Sequence, residues 1–223
     1  LDIVSVERLR IELDKLVIAP DPTPGLDLAR RTGLLTHVLP ELAALSSADW
    51  DRCTARLVRV APSLLPRLAT LVLAIDDALR APRLDALRHP RRVTHAAVEL
   101  ARGVERFVAS PPRTDAELRR AVVAAGGGWA EVLELARSIE PGLGVDLVVR
   151  RSAELDADLG ALGTDAELPI DGRDVIEILG VDTGPLVGDA LDVVRAARLD
   201  HGPLDATTAR RLLTEWWSSR PVR

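Results

Sequence analysis

The sequence predicts an all-α protein, a multi-helix array followed by a small helical tail, and three observations support this fold class. Apolar residues recur at the three- and four-residue spacing of one helix face along most of the chain. No segment shows the strict alternation of a half-buried strand. Proline and glycine clusters divide the chain into lengths typical of helices. With 223 residues, 47% of them hydrophobic, the chain is long enough to bury a sizeable core.

The individual helices follow from capping and breaking residues. The first helix is expected to begin at Ser5, a residue type that caps helices, and to stop before Pro20. A breaker cluster at residues 21–25 precedes the second helix, and Pro40 makes the third one short or bent. Further helices are expected at about residues 48–60, 63–80, 92–109, 114–125, 129–139 and 144–160.

Composition excludes several classes of protein. The single cysteine, Cys53, can form neither an intramolecular disulfide nor a cysteine-based zinc site, which fits a reducing, cytoplasmic location. The longest apolar run, residues 68–75, is far shorter than the roughly 20 residues needed to span a bilayer, so no membrane partner is expected. A net charge of −5 excludes a histone-like polycation and limits any nucleic-acid contact to a local patch.

The charge balance changes sign along the chain. Residues 80–120 contain ten arginines and five acids, whereas residues 152–192 contain eleven acids and one arginine. The basic segment can bind phosphates, with Arg88, Arg91 and Arg92 at a proline-interrupted helix start as its best candidate ligands. An ordinary solvated helix face is the alternative. Asn and Gln, which read bases, are absent, so we expect contacts to a nucleic-acid backbone rather than base-specific readout.

A second candidate lies in the tail, where a helix capped by Asp171 ends at Gly180 and another opens at Gly184. Such a helix-hairpin-helix-like turn presents free amides at a helix N-terminus, where a phosphate can bind regardless of base. Gly180, Gly184 and Gly188 leave room for a close backbone approach. The alternative is a turn used only for packing, which the neighbouring acids favour.

The tail is expected to continue with helices at about residues 185–198 and 206–218. The last of these contains two adjacent tryptophans, Trp216 and Trp217. Adjacent residues point to different sides of a helix. We therefore expect one of them in the core and the other available as a contact residue.

The sequence offers no catalytic constellation. Its histidines lack the His-x-x-x-His spacing that places two metal ligands on one helix face; they are His37, His89, His95 and His201. Residues 156–158 (DAD) have the form of a metal-binding pair, but they belong to a helical acidic stretch that we interpret as a solvated face. The GGG at residues 126–128 lacks the Lys-Ser/Thr ending of a phosphate loop and is interpreted as an interhelical turn.

Two motifs in the right order resemble one known family. Residues 7–16 (ERLRIELDKL), 25–28 (GLDL) and 32–42 (TGLLTHVLPEL) are similar to the helices that follow the nucleotide-selecting region in bacterial class II tRNA nucleotidyltransferases (CCA-adding enzymes) and poly(A) polymerases. The stretch from residue 168 (LPIDGRD) through Gly188 is similar to the family's C-terminal pattern. Ile11 departs from the Asp usual at its position.

The resemblance implies a division of the chain and of its chemistry. Residues 1–45 would form RNA-binding neck and body helices, residues 46–160 a degenerate HD-like helical region, and residues 161–223 the C-terminal tail. The family's catalytic head would precede Leu1, and the lack of a starting Met fits a C-terminal piece of a longer protein. Mg²⁺ and CTP or ATP are expected only for that head, so no catalytic site, metal or cofactor is expected in this chain.

The same resemblance predicts that one activity of many family members is lost. Their metal-dependent phosphohydrolase (HD) region carries a His-Asp pair where this chain has Leu73 and Ala74. Two apolar side chains cannot bind a divalent metal. We therefore expect a non-catalytic module that binds tRNA or other structured RNA and positions its 3′ end for the head. The alternative is a helical scaffold that contacts another protein and binds no RNA.

Overall fold

The computed structural model describes residues 5–164 and 167–220. Within these ranges the chain forms fifteen helices and no strand, so the predicted all-α fold class is confirmed. Leu1, before which the resemblance places a catalytic head, and Asp165, one of the predicted acids, lie outside the described residues. No helix in the described ranges is both long enough and apolar enough to cross a bilayer.

The helices belong to two compact units. The first comprises residues 1–111 and 127–146, and the second comprises residues 112–126 and 147–223. This division describes packing within the chain. The predicted segments, with boundaries at 45 and 160, describe family relationships and stay a prediction.

In the first part of the first unit, capping side chains and a proline set where the helices begin and end. The Ser5 hydroxyl accepts a hydrogen bond from the amide of Arg8, and the Ser46 hydroxyl accepts one from the amide of Asp49, as expected for helix caps. Pro40 separates two very short helices, as predicted. The helices of this part are α1 (Val6–Val17), α2 (Thr23–Arg31), α3 (Leu34–Val38), α4 (Pro40–Ala43) and α5 (Ser47–Arg59).

The core of the first unit surrounds a long helix, α8 (Arg91–Ala109), which packs against α6 (Leu64–Val72), α7 (Asp77–Ala86) and α10 (Trp129–Ile139). Gly103 lets α8 approach α10 closely, because a Cβ there would lie 2.6 Å from Val132 Cγ2. Phe107 and Trp129 meet edge to face with ring centroids 5.9 Å apart. Most of the basic segment, residues 80–111, therefore lies in this unit, in α7, α8 and the turns beside them, whereas residues 112–120 belong to the second unit.

The predicted single helix at 63–80 is wrong, because the chain breaks between α6 and α7. Asp76 caps α7 by accepting a hydrogen bond from the amide of Ala78. The carbonyls of Val72 and Ile75 at the break accept hydrogen bonds from Nε of Arg80 at 2.9 and 3.0 Å, and that of Val72 also accepts one from the amide of Ile75. A buried arginine thus provides the partners that an unbroken helix would have supplied.

A second arginine, Arg67, is buried for a similar reason. Only 1% of it is exposed, and its guanidinium donates to the carbonyl of Val17 at 2.6 Å, to that of Val60 at 3.1 Å and to that of Ala19. These acceptors include the free C-terminal carbonyls of α1. Arg67 therefore ties the end of α1 to α6.

The second unit contains α9 (Asp115–Ala125), most of α11 (Val145–Glu154), α12 (Asp156–Ala161), α13 (Gly172–Leu179), α14 (Pro185–His201) and α15 (Ala206–Ser218). The helices α13, α14 and α15 pack against one another around a small apolar core. Its fully buried members include Val175, Val194 and Leu213. Asp171 and Asp174 form the capping box that begins α13, which confirms the predicted start of that helix.

Two predictions about residues 144–160 are wrong. The helix breaks at Leu155, and Asp158 does not lie on a solvated face. Its carboxylate is only 10% exposed and lies between Nε of Arg119, at 2.9 Å, and Nη2 of Arg198, at 2.5 Å. Burying an unpaired carboxylate would cost free energy, so the two ion pairs stabilise the buried Asp158. Through them Asp158 joins α9, α12 and α14.

Candidate nucleic-acid interface

The turn between α7 and α8 holds Arg88 in an unusual backbone conformation. Its φ of 62° is the only positive value at a non-glycine among the described residues. The Arg88 amide donates to the carbonyl of Asp85 and the His89 amide to that of Leu84, at 2.9 and 3.1 Å, which is the bonding of a Schellman motif. Glycine is the usual residue there, since a Cβ in the left-handed region costs about 1 kcal/mol or more. Backbone strain of this kind concentrates at functional sites.

Arg91 and Arg92 are the first two residues of α8. Pro90 precedes them, no side chain caps the helix, and its first turn contains no acid. The amides and the positive end of the helix dipole are therefore left for an anion. Arg88, Arg91 and Arg92 are all exposed. Together these arginines surround the uncapped end of a nineteen-residue helix, and we call them the arginine turn.

Other arginines of the segment 80–120 are engaged within the protein. Five of them pair with carboxylates: Arg80 with Glu105, Arg83 with Glu41, Arg102 with Asp77, Arg119 with Asp158, and Arg120 with Asp200. In contrast, no carboxylate oxygen of the described residues lies within 4.0 Å of a charged nitrogen in the arginine turn. The three predicted residues, near neighbours in the sequence, are thus exposed and have no carboxylate partner among the described residues, while their role in binding stays a prediction.

Behind the arginine turn lies a buried histidine that sequence reasoning missed. The His89 side chain is 1% exposed and faces Asp14 of α1. Arg10 donates to the same carboxylate at 2.8 Å through Nη1. Burial lowers the pKa of His89 and raises that of Asp14. The sequence signal was a histidine directly before Pro90, among arginines, but nothing in it indicated a contact with the first helix.

A groove in the first unit was also missed. It lies between α2 and the start of α5 and has a volume of about 540 Å³. Trp50 forms its floor, donating through Nε1 to Asp27 at 2.7 Å, and the guanidinium of Arg30 lies 4.7 Å from the centre of the Trp50 ring system. Arg31 also lines the groove. Asp27 and Trp50, which meet here, are 23 residues apart in the sequence and gave no periodic signal, since each was interpreted as part of its own helix.

The second predicted site, the turn from Gly180 to Gly188, has an open surface. Gly180 ends α13 in the left-handed conformation, with φ 63°, so a glycine is favoured there by its backbone. Gly184 is extended, with φ 165°, and precedes the uncapped start of α14. A Cβ at Gly184 or Gly188 would have no neighbour within 4 Å. Space for a ligand is therefore present, and phosphate binding at this turn remains a prediction.

The HD-like position shows apolar side chains at the end of α6. Leu73 and Ala74 are half-buried and follow the last helical residue, Val72. Within residues 5–164 and 167–220, no group of three or more His, Cys, Asp or Glu side chains is arranged to hold a metal ion. The residues that the structure describes thus supply no alternative ligand set at this position.

Comparisons with known proteins relate this all-α chain to an RNA-binding family and to CCA-adding enzymes. Residues 1–46 match a family described as "Probable RNA and SrmB-binding site of polymerase A". The chain is 31% identical over 202 residues to the CCA-adding enzyme of Geobacillus stearothermophilus, covering 86% of this chain and 46% of the relative. It is 28% identical over 220 residues to that of Geobacillus sp. strain WCH70, covering 96% and 50%. No solved structure shows significant similarity.

These matches confirm the resemblance found in the motifs at both ends of the chain. Over most of its length the chain is similar to the C-terminal region of the family of CCA-adding enzymes and poly(A) polymerases. It spans about half the length of the curated relatives that it matches.

Proposed function

We propose that this chain binds tRNA or another structured RNA through the phosphate backbone and positions the RNA 3′ end for nucleotide addition. The addition itself would be carried out by the nucleotidyltransferase head that precedes this region in the family. Support comes from the match of residues 1–46 to an RNA-binding family and from relatives that are CCA-adding enzymes. In this proposal Mg²⁺ and the nucleotides CTP or ATP belong to the head.

The observation that carries the proposal is the arginine turn. Three exposed guanidinium groups without carboxylate partners flank the uncapped start of α8, in the same unit as the matched residues 1–46. Arginine matches the geometry of a phosphate with two parallel hydrogen bonds, and the helix dipole adds a favourable field. Each phosphate that is neutralised releases counterions, which makes the affinity steeply dependent on salt.

Backbone recognition also suits the work that such a module performs. Adding nucleotides to the ends of many RNAs requires binding that is largely independent of their sequences. Phosphate contacts fix register and orientation without reading bases. The absence of Asn and Gln, whose amides read adenine edges, is consistent with that requirement.

The experiment is a titration of the complete chain with two RNAs of identical fold. One is a tRNA transcript, and the other carries compensatory base-pair changes throughout its helices. The proposal predicts equal affinity for both RNAs and a linear fall of log affinity with log salt concentration. A chain that binds neither RNA at low salt is the outcome expected of a protein-contacting scaffold, and it would exclude RNA binding as the function.

A further inference from the structure

The last helix of the tail presents a tryptophan to solvent. Trp216 packs against the apolar core of the tail, whereas Trp217 keeps 38% of its surface exposed. Trp217 is the only aromatic residue among the exposed large hydrophobics of the described chain, since Trp50 and Phe107 are 5% and 3% exposed. Of the two adjacent tryptophans, Trp216 is thus the one against the core, where it is partly buried, and a contact role for Trp217 stays a prediction.

Trp217 lies next to a tryptophan that packs against the core of the tail. The guanidinium of Arg220 lies 4.6 Å from the ring centre of Trp216, which is already fixed by the tail core. The rings of Trp216 and Trp217 are 6.3 Å apart at an angle of 44°. A tryptophan side chain has only two torsions, so it loses little conformational entropy when a ligand stacks on it.

The end of the tail differs from the rest of the tail in its balance of arginines and acids. Residues 206–220 contain three arginines and one glutamate, whereas residues 168–205 contain eight acids and three arginines. Arg210 lies seven residues before Trp217, so the two share a face of α15 about 10 Å apart along the helix axis. Arg210 pairs with Asp174 at 3.4 Å, and both side chains are partly exposed. A surface pair of this kind contributes little to stability, so Arg210 is able to exchange Asp174 for a phosphate.

We propose that Trp217 is a stacking site for an unpaired nucleobase of the bound RNA, with Arg210 beside it as a phosphate ligand. Every base has a flat π face, so stacking adds affinity without requiring a particular sequence. The small excess of arginine over acid in residues 206–220 favours an anionic ligand such as a nucleic acid over a purely apolar partner surface. This inference rests on the proposed RNA binding and assigns its base contact to the tail.

The test compares Trp217→Ala with Trp217→Phe, which keeps an aromatic face. Loss of one stacked base predicts a 5- to 150-fold weaker affinity of Trp217→Ala for tRNA, as a rough range, with most of the affinity retained by Trp217→Phe. Leu147→Ala is the matched control, because Leu147 is an apolar side chain of the same unit that is 63% exposed. A fully paired RNA duplex, which has no unpaired bases within its length, is predicted to bind Trp217→Ala and the unsubstituted chain equally.

Each of the remaining outcomes would overturn a specific part of the proposals. Unchanged tRNA affinity of Trp217→Ala would overturn the stacking site while leaving RNA binding through the arginine turn intact. Failure of the unsubstituted chain to bind any RNA would remove both proposals. Equal weakening for tRNA and duplex, or a change confined to self-association in sedimentation, would assign Trp217 to a different contact and also overturn the inference.

Discussion

Nε2 of His89 lies 3.6 Å from Oδ1 of Asp14, in a buried contact that joins the arginine turn to the first helix. The two residues are seventy-five positions apart in the sequence, and no hydrogen bond within the described residues satisfies either ring nitrogen of His89. Arg10 balances the Asp14 carboxylate from the other side. The contact therefore holds the backbone next to Arg88 against α1. Its strength depends on the protonation of the His89 imidazole and the Asp14 carboxylate.

The first prediction concerns the pH dependence of folding stability. Burial lowers the pKa of His89, so the folded chain binds this proton less readily than the unfolded chain. Stability should therefore fall as pH drops below about 6.5, by at most about 1.4 kcal/mol per pH unit for this one proton. Asp14, whose pKa is raised, acts in the opposite direction but in the more acidic range where carboxyl groups titrate.

Denaturant unfolding measured between about pH 5.5 and 7.5 checks this prediction, with His89→Leu as the test variant. Removing the buried imidazole should flatten the dependence of stability on pH in that range. His37→Leu, which removes an exposed imidazole, is the control and should leave the dependence in place. An identical pH profile for His89→Leu and the unsubstituted chain would show that His89 does not govern it.

A second prediction uses the left-handed conformation of Arg88. Arg88→Gly removes the guanidinium and relieves the strained backbone, whereas Arg88→Ala removes the guanidinium and keeps the strain. We expect the two variants to lose RNA affinity equally and the glycine variant to be more stable than the alanine variant by about 1 kcal/mol. Thermal unfolding and RNA titration of the pair measure both quantities. Retained affinity in both variants would exclude Arg88 as a phosphate ligand.

Arg67 provides a third prediction, on stability alone. Arg67→Met keeps much of the buried volume but leaves the carbonyls of Val17, Val60 and Ala19 without their donor. Buried acceptors that lose their partners should lower the free energy of unfolding by about 3 kcal/mol or more. Arg59→Met is the control, since Arg59 is exposed and donates to one carbonyl, and it should cost less than about 1 kcal/mol. Similar small losses in both variants would contradict the account of Arg67.

The tail turn supplies a fourth prediction. Gly184 has an extended backbone and an open surface, so Gly184→Glu should fold with an unchanged melting temperature. If the amides at the start of α14 hold a phosphate, the added carboxylate repels it and RNA affinity should fall. Gly142→Glu adds the same charge at another open position and serves as the control. Intact binding by Gly184→Glu would leave the turn with a packing role.

The sequence predicted most of the helices, because their signals are local. The serine and aspartate caps at Ser5 and Asp171, and the stop at Gly180, act within a few residues of where they stand. The break before α7 escaped prediction because the apolar spacing continues through it, while its stabilising partner is the guanidinium of Arg80. The prediction for Asp158 was wrong because its acidic neighbours indicated a solvent-exposed side chain. Its actual partners are two arginines distant in the sequence, which no local pattern shows.

For the candidate site, the sequence could predict only the clustering of positively charged residues. Clustered arginines beside Pro90 are visible in the sequence, and so is their excess over acids in that segment. Which arginines remain unpaired depends on long-range contacts such as Arg83 with Glu41, so it emerges only from the folded chain. The contact between His89 and Asp14 lies in the same category, because no local pattern specifies a pairing over such a separation.

The most direct measurement of the central claim is the salt dependence of tRNA binding by the triple variant Arg88→Ala/Arg91→Ala/Arg92→Ala. Each lost phosphate contact should reduce the slope of log affinity against log salt by about 0.7 to 0.9, together with a loss of affinity at low salt. The control removes three exposed arginines elsewhere, Arg113, Arg150 and Arg173, and should change the slope far less. A triple variant with the slope of the unsubstituted chain would show that the arginine turn is merely solvated and would contradict the proposed function of this site.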